Sequence, residues 1–162
     1  MKKFLSNLDS IIAVASLLII IAITLAGVVM RYIVGKPFAW LEEMQLFFFI
    51  YSIFFGGSVA FRLGNQVSID LIANRISPKA RRALDIFDYV FTMGILLYLL
   101  FGGIGLTQSV SGKVTPYFKI SYVYIDIAAP IGILLMIIQY TFVFIDLMRT
   151  PVAEKRKEAA AK

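Results

Sequence analysis

The sequence predicts an all-α integral membrane protein with four transmembrane helices. Hydrophobic residues make up 60% of the 162 residues and charged residues make up 16%, and the mean hydropathy is +0.85. A soluble domain is about half apolar and about a quarter charged, and a chain this short has too little core volume to bury so much apolar surface. Much of the chain must therefore be solvated by lipid.

Four stretches without Asp, Glu, Lys or Arg identify the spans, because a helix needs about 20 apolar residues to cross a roughly 30 Å hydrocarbon layer. They are residues 10–30, 44–61, 89–112 and 127–145. With their flanks they predict spans at about 10–32, 39–61, 84–110 and 124–147. Residues 1–148 then form one membrane domain. Residues 149–162 form a basic cytoplasmic tail whose final Glu-Ala-Ala-Ala-Lys matches a helical spacer, and we assign that spacer no function.

Lys2 and Lys3 precede the first span, so a cleaved signal peptide is the alternative interpretation of the N-terminus. The apolar run is longer than the roughly 7–15-residue core of a signal peptide. No convincing small-x-small cleavage site precedes Arg31. We therefore interpret residues 10–30 as a transmembrane helix.

Lys and Arg residues are distributed unevenly among the segments that flank the spans. The two termini and the second loop hold twelve of them, and the first and third loops hold four. By the positive-inside rule, both termini and the second loop lie in the cytoplasm. This topology requires an even number of spans, so the charge distribution and the span count agree.

The first loop is short, because Gly35-Lys36-Pro37 ends the first helix. The second helix begins near Phe38, with Glu42 and Glu43 in its first turns, where carboxylates stabilise a helix N-terminus. Trp40 falls at the depth of the outer interface of the membrane, where indole rings anchor.

The second loop contains a predicted interfacial helix, because Ile69, Ile72 and Ile76 recur at helical spacing with cations on another face. The Ser77-Pro78 pair, an N-cap followed by proline at the first helical position, then begins the third helix. In the fourth span, Ala129-Pro130 predicts a bend near the outer end.

Composition excludes several functional classes. The chain has no Cys and no His, which excludes disulfides, thiol redox chemistry, Cys- or His-ligated zinc, bis-His haem and a His general base. No ionisable residue lies in the middle of any span, where a transporter that works alone needs one. Gln139 is the deepest strongly polar side chain, and we expect it to bond to a neighbouring helix rather than to a substrate. No enzymatic, metal or cofactor site is predicted.

Small residues recur at spacings that allow helices to pack closely. They are Ala22 and Ala26, Gly56 and Ala60, and the group Gly102, Gly103 and Gly105. These faces either hold the four helices together or bind another membrane protein.

Three short segments match the motifs of one family. The first span ends with Val28-Val29-Met30-Arg31-Tyr32 and Gly35-Lys36-Pro37, the second opens with Trp40-Leu41-Glu42-Glu43, and it leaves with Arg62-Leu63-Gly64 and Val67-Ser68-Ile69-Asp70. With four helices, both termini inside and this length, the chain resembles the small membrane subunit of tripartite ATP-independent periplasmic (TRAP) transporters over residues 8–148. The family commonly has a His in the last motif, where this chain has Gln66.

The resemblance implies a non-catalytic subunit of a sodium-coupled system for organic acids, of the sialic acid or C4-dicarboxylate class, in the bacterial inner membrane. In such systems a periplasmic protein captures the substrate, and a large elevator-type subunit carries the substrate and sodium sites. The small subunit binds the large one as part of its fixed scaffold. The implied partners are therefore the large subunit, the periplasmic binding protein and membrane lipids, with no nucleic acid.

Three sets of residues follow as site hypotheses. The residues expected to contact the large subunit are Trp40, Glu42, Glu43, Gly56 and Ala60. The external cations expected to help the periplasmic protein bind are Arg31, Lys36, Lys113 and Lys119. The cations expected to meet anionic lipids of the inner leaflet are Arg75, Lys79, Arg81 and Arg82.

Two other functional classes stay open at this stage. One is a self-contained small carrier that acts as a homodimer, and the other is an anchor or assembly subunit of an unrelated membrane complex. A carboxylate in the middle of a span would favour the carrier, and the sequence has none there.

Overall fold

The structure is a computed structural model that describes residues 2–36, 38–63 and 78–149, with side chains from residue 8 onward except at positions 78, 79 and 81. The helices are α1 (Lys2–Val29), α2 (Leu41–Leu63), α3 (Pro78–Ser109), α4 (Val123–Asp126) and α5 (Ala128–Arg149), and a π-helical turn, Met30–Val34, extends α1. Within these ranges no strand forms, and one isolated bridge pairs Val114 with Ser121.

Four helical segments are long and apolar enough to cross a membrane. They are Leu8–Val34, Leu41–Leu63, Arg82–Ser109 and Val123–Arg149. This confirms the predicted all-α membrane fold with four transmembrane helices. The third helix begins at Pro78, as the proline predicts. The predicted interfacial helix around Ile69–Ile76 lies outside the described residues.

The end of the first span follows from local backbone chemistry. Gly35 adopts a left-handed conformation, with φ of 70°, and its N–H donates to the carbonyl of Met30. The N–H of Lys36 also donates to that carbonyl, at 3.3 Å. A left-handed glycine that caps the last carbonyls is the usual way to end a helix, so the predicted stop lies where the motif places it.

The fourth span is interrupted at Ile127, between α4 and α5. Pro130 has no N–H and cannot donate to the carbonyl of Asp126, four residues earlier. That carbonyl instead lies 3.5 Å from the hydroxyl oxygen of Thr107 on α3, which donates mainly to the carbonyl of Gly103 at 2.8 Å. The predicted bend at Ala129-Pro130 therefore takes the form of a break at Ile127, directly after the residue whose carbonyl loses its bond.

The spans form a row rather than a closed bundle. α1 packs on α2, α2 packs on α5, and α5 packs on α3, whereas α1 and α3 share at most marginal contact. Two apolar clusters join the row. Their buried members are Leu96, Ile133, Met136 and Tyr140 in one cluster and Ala13, Phe55 and Ala128 in the other. α5 supplies the largest share of buried residues and is the centre of the molecule.

α2 and α5 approach each other closely at Gly132. A Cβ added at Gly132 would lie 2.5 Å from the Cβ of Phe54 and 3.0 Å from its carbonyl, so only glycine fits there. Of the small residues singled out by spacing, two face another helix. A Cβ added at Gly56 would lie 3.9 Å from the Cβ of Ala13, and one added at Gly103 would lie 3.6 Å from Pro130. The other five leave open space or exposed surface. They are Ala22, Ala26, Ala60, Gly102 and Gly105.

Candidate functional site

A polar site lies at each end of the helix α2. Asp9 near the start of α1 contacts Arg62 near the end of α2, and we call this the Asp9 end. Glu43 near the start of α2 contacts the segment between α3 and α4, and we call this the Glu43 end. The two sites differ in burial and in what they offer a partner.

The site at the Asp9 end is a closed network of charges and hydroxyls. Asp9 is 1% exposed and Ser58 is fully buried. Oδ1 of Asp9 lies 3.0 Å from Nη1 of Arg62 and accepts the Ser10 N–H at 2.8 Å, and Oδ2 accepts the Ser58 hydroxyl at 3.1 Å. The second guanidinium nitrogen of Arg62 donates to the Ser10 hydroxyl at 2.8 Å.

This network exists because α1 and α2 are antiparallel, which brings the start of one helix beside the end of the other. Ser58 and Arg62 are four residues apart, so both point from one face of α2. A buried carboxylate is tolerated when its charge is paired and its lone pairs accept hydrogen bonds. Every polar group named here is engaged, so the network joins two helices and leaves no group free for chemistry.

Sequence reasoning missed Asp9. The first predicted span begins at residue 10, because the criterion admits only uncharged residues, and Asp9 lies just outside it. Arg62 enters the prediction only as part of a family motif. The available signal was a serine and an arginine four apart at the end of one span, with a carboxylate at the start of its neighbour.

The site at the Glu43 end fixes a loop. The Glu43 carboxylate accepts the backbone N–H of Tyr117 and the backbone N–H of Phe118, the latter at 3.0 Å. The loop is closed by its own bonds, since the Thr115 N–H donates to the carbonyl of Ile120 at 2.8 Å. The Ile120 N–H donates to the Thr115 hydroxyl at 3.2 Å. Residues 115–120 thus form a compact unit, which we call the clamped loop.

Aromatic contacts support the same loop. The ring centroid of Trp40 lies 6.4 Å from that of Phe118 and 5.1 Å from that of Phe38. Trp40 is half-buried, and its indole packs on the loop. Two of the five residues expected to contact the large subunit, Trp40 and Glu43, therefore already make contacts within the chain.

The other residues predicted at sites are placed as follows. Glu42 and Ala60 are exposed, and Gly56 packs on α1. The four external cations are all exposed and lie at the Glu43 end; they are Arg31, Lys36, Lys113 and Lys119. Arg82 donates to the carbonyl of Met148 at 3.1 Å at the opposite end. Arg75 and the side chains of Lys79 and Arg81 lie outside the described residues.

Polar side chains within the spans also link helices. The Tyr140 hydroxyl donates to Oδ2 of Asp88 at 2.9 Å, and Nε2 of Gln45 donates to the Thr24 hydroxyl at 2.8 Å. Gln139 is half-buried on α5 and makes no hydrogen bond with the described residues, so the bond predicted for it is not formed within them. In the same part of the chain, no three His, Cys, Asp or Glu residues come together as candidate metal ligands.

The fold and these sites define a multi-pass helical membrane protein whose polar side chains mostly join its own helices and loops. The family described as "Tripartite ATP-independent periplasmic transporters, DctQ component" matches residues 20–150. The chain belongs to this family, as the motifs of the first two spans predict, and is the small subunit of a TRAP transporter. The family is one of transporter permease subunits and is not enzymatic.

Three curated relatives are similar to the chain over most of its length. The ectoine TRAP transporter small permease protein TeaB of Halomonas elongata is 26% identical over 140 residues, which cover 85% of this chain and 72% of the relative. The sialic acid TRAP transporter small permease protein SiaQ of Vibrio cholerae is 21% identical over 154 residues, covering 92% and 86%.

The third relative is much longer than this chain. The sialic acid TRAP transporter permease protein SiaT of Haemophilus influenzae is 25% identical over 138 residues, which cover 85% of this chain and only 22% of the relative. In that protein the segment similar to the small subunit is part of one long permease chain. Small permease subunits of this family pair with large permease subunits.

Proposed function

We propose that this chain is the fixed scaffold for the large subunit of a sodium-coupled transporter of organic acids, and that it helps the complex receive a periplasmic substrate-binding protein. The observation that carries the proposal is the family match over residues 20–150 of a four-span chain. The expected substrate class is sialic acid or a C4-dicarboxylate.

The distribution of polar groups supports a scaffold rather than a carrier. Asp9, the buried carboxylate among the described residues, is paired with Arg62. A carrier needs an ionisable or broken-helix site that substrate and ions can reach near the middle of the membrane. The break at Ile127 lies near the end of the fourth span rather than near its middle, and there the Thr107 hydroxyl approaches the carbonyl of Asp126.

The charge distribution supports an orientation in the bacterial inner membrane. Twelve of the sixteen Lys and Arg residues lie in the two termini and the loop between the second and third spans. The Asp9 end then faces the cytoplasm and the Glu43 end faces the periplasm. In this orientation Arg75, Lys79, Arg81 and Arg82 meet the anionic headgroups of the inner leaflet.

Two of the five residues predicted to contact the large subunit are exposed. Glu42 and Ala60 are exposed and lie on α2, which is bound on one side by α1 and on the other by α5. We propose that the large subunit contacts this helix through those positions. The relatives' names mention ectoine and sialic acid, so similar small subunits serve different substrates. This supports a substrate site in the other subunits.

Reconstitution tests the proposal. The chain is expressed with its candidate large subunit, purified through a tag on the chain alone, and inserted into proteoliposomes with or without the binding protein. We expect the large subunit to co-purify, and we expect sodium-dependent uptake of an organic acid to require all three proteins. Uptake by this chain alone would contradict the proposal and would establish the homodimeric carrier instead.

A further inference from the structure

We propose that Glu43 is a positioning residue that holds the clamped loop, residues 115–120, in a preformed shape which presents Tyr117 and Lys119 to an acidic surface of the substrate-binding protein. This inference rests on the proposed function, because it needs a complex that receives such a protein. It adds the contact element and the residue that shapes it.

The first support is the geometry of the clamp. One carboxylate from the first turn of α2 accepts two consecutive backbone N–H groups from a segment more than 70 residues further along the chain. Hydrogen bonds to a charged acceptor are about twice as strong as bonds between neutral groups. Pro116 offers no N–H, so these two groups and the internal bonds of Thr115 fix most of the loop backbone.

The second support is what the clamp leaves exposed. Tyr117 is 53% exposed and Phe118 is 40% exposed, while Thr115 beneath them is 3% exposed. Lys119 holds a left-handed backbone, with φ of 57°, and its side chain is exposed. Tyrosine is enriched among the residues that dominate binding at protein interfaces, and a loop that is already ordered avoids the cost of ordering it on binding.

The third support is the charge of this end of the molecule, which selects the partner. Four exposed cations lie there against the exposed carboxylate of Glu42 and the partly exposed carboxylates of Glu43 and Asp126, which leaves this end with a small positive charge. The cations are Arg31, Lys36, Lys113 and Lys119. A soluble protein with an acidic surface complements this charge, and such complementarity raises the association rate and orients the encounter.

Paired substitutions separate the clamp from simple electrostatics. Glu43→Gln removes one negative charge and one of the two acceptor oxygens. Glu43→Asp keeps the charge and both oxygens but is shorter by one methylene, so it withdraws the carboxylate from the two N–H groups. If only net charge mattered, Glu43→Gln would bind an acidic protein slightly more tightly and Glu43→Asp would bind it as the unmodified complex does. We expect both variants to weaken binding, Glu43→Gln about tenfold.

The measurement uses the full complex of this chain and the large subunit in nanodiscs, titrated with the substrate-binding protein. The clamp itself is read by limited trypsin digestion, since Lys113 and Lys119 flank or lie in the loop. We expect faster cleavage at Lys119 in Glu43→Gln and in Glu43→Asp than in the unmodified complex. Tyr117→Ala and Lys119→Glu test the presented side chains and should each weaken binding at least fivefold while co-purification of the large subunit persists.

Several outcomes would overturn the inference. If Glu43→Gln is digested faster but the Kd for the substrate-binding protein is unchanged, the clamp stabilises the loop without contributing to binding. Unchanged affinity in Tyr117→Ala and Lys119→Glu would show that the loop is not the contact element. If Tyr117→Ala and Lys119→Glu weaken binding to vesicles of anionic lipid but leave the affinity for the binding protein unchanged, the loop contacts lipid headgroups instead. Failure of the unmodified complex to assemble or to bind the protein would instead contradict the proposed function.

Discussion

Asp9 is the residue on which the pairing of the first two spans depends most directly. Its carboxylate is 1% exposed and is satisfied by a guanidinium, a hydroxyl and a backbone N–H. Burying such a pair contributes little net stability compared with apolar residues of the same shape, but removing one partner leaves an unpaired buried charge. The pair therefore specifies which helix ends meet, because any other register separates Asp9 from Arg62.

Replacing Arg62 by Gln should strongly destabilise the helix pair. Breaking a buried ion pair by removing one partner costs about 3–5 kcal/mol. Because the Arg62 side chain is 20% exposed, we expect the free energy of unfolding to fall by an amount at the lower end of this range, about 3 kcal/mol. Chemical or thermal unfolding of the purified chain in detergent measures it. The double variant Asp9→Asn with Arg62→Gln should lose less than the sum of the single variants, and Glu42→Gln is the control. Additive losses would contradict a coupled pair.

The external cations give a second prediction at the residue scale. Reversing Arg31, Lys36, Lys113 and Lys119 to Glu should weaken the affinity of the substrate-binding protein and reduce uptake at low substrate concentration, because attraction between the two surfaces becomes repulsion. The effect should shrink as salt is raised, since the Debye length falls from about 10 Å at 0.1 M to about 3 Å at 1 M. Uptake and affinity that equal those of the unmodified complex would rule out electrostatic steering by these residues.

Among the elements, α5 decides the packing because it contacts both α2 and α3. Its interface with α2 is close enough that Gly132 faces the backbone of Phe54. Without a hydrophobic force between helices in lipid, such close contact supplies much of the association energy. The spacing of small residues indicated close packing but could not identify which glycines contribute to it.

A methyl group at Gly132 should push α2 and α5 apart. Gly132→Ala places a carbon 2.5 Å from the Cβ of Phe54, and relief requires movement of backbone, so we expect a loss of about 1–3 kcal/mol. Gly57→Ala should cost less, because the nearest atom is the flexible methyl of Met136. Gly102→Ala meets nothing within 4 Å and serves as the control. Thermal unfolding in detergent would compare them, and equal melting of all three would contradict this account.

At the scale of the whole molecule, the open row α1–α2–α5–α3 leaves the outer faces of α1 and α3 exposed. A closed bundle would bury a face of every helix against two neighbours, whereas this row gives two helices only one neighbour each. Such an arrangement suits a subunit whose exposed faces are covered by lipid and by a larger membrane protein. It also puts the Asp9 network and the clamped loop at opposite membrane surfaces.

The orientation of the chain in the membrane can be tested by labelling single introduced cysteines. No native cysteine has to be removed first, because the chain contains none. Lys113→Cys should react with an impermeant maleimide added to intact spheroplasts, and Lys157→Cys should react only after the membrane is opened. The positive-inside rule is the reason, since twelve cations lie on one side and four on the other. The reverse labelling would invert the topology and would place the clamped loop in the cytoplasm.

Much of the architecture was predictable because its causes are local along the chain. Apolar runs of sufficient length place the four spans, a glycine at position 35 ends the first helix, and a proline at position 130 interrupts the fourth span. Three short motifs at the ends of the first two spans indicated the family, together with the number of helices, their topology and the length of the chain. Each of these depends on backbone chemistry or hydropathy within a few residues, which a sequence displays directly.

The site was less predictable because its contacts join distant residues. Glu43 was expected to stabilise a helix N-terminus, and Trp40 to anchor at the interface; the fold also directs both onto a loop more than 70 residues away. The role of Asp9 is not predictable from the sequence, because nothing near it along the chain indicates that Arg62 lies 3.0 Å away in the fold.

The sequence by itself determined the number of spans and the family. The number of spans is predictable because lipid acts on each helix separately and favours any sufficiently apolar run. The tertiary structure alone decided the order of helices in the row, the close approach at Gly132, the Asp9–Arg62 pair and the clamp by Glu43. The reason is physical. Insertion depends on the composition of one segment, whereas packing depends on which faces of two segments fit, and that is a property of the pair.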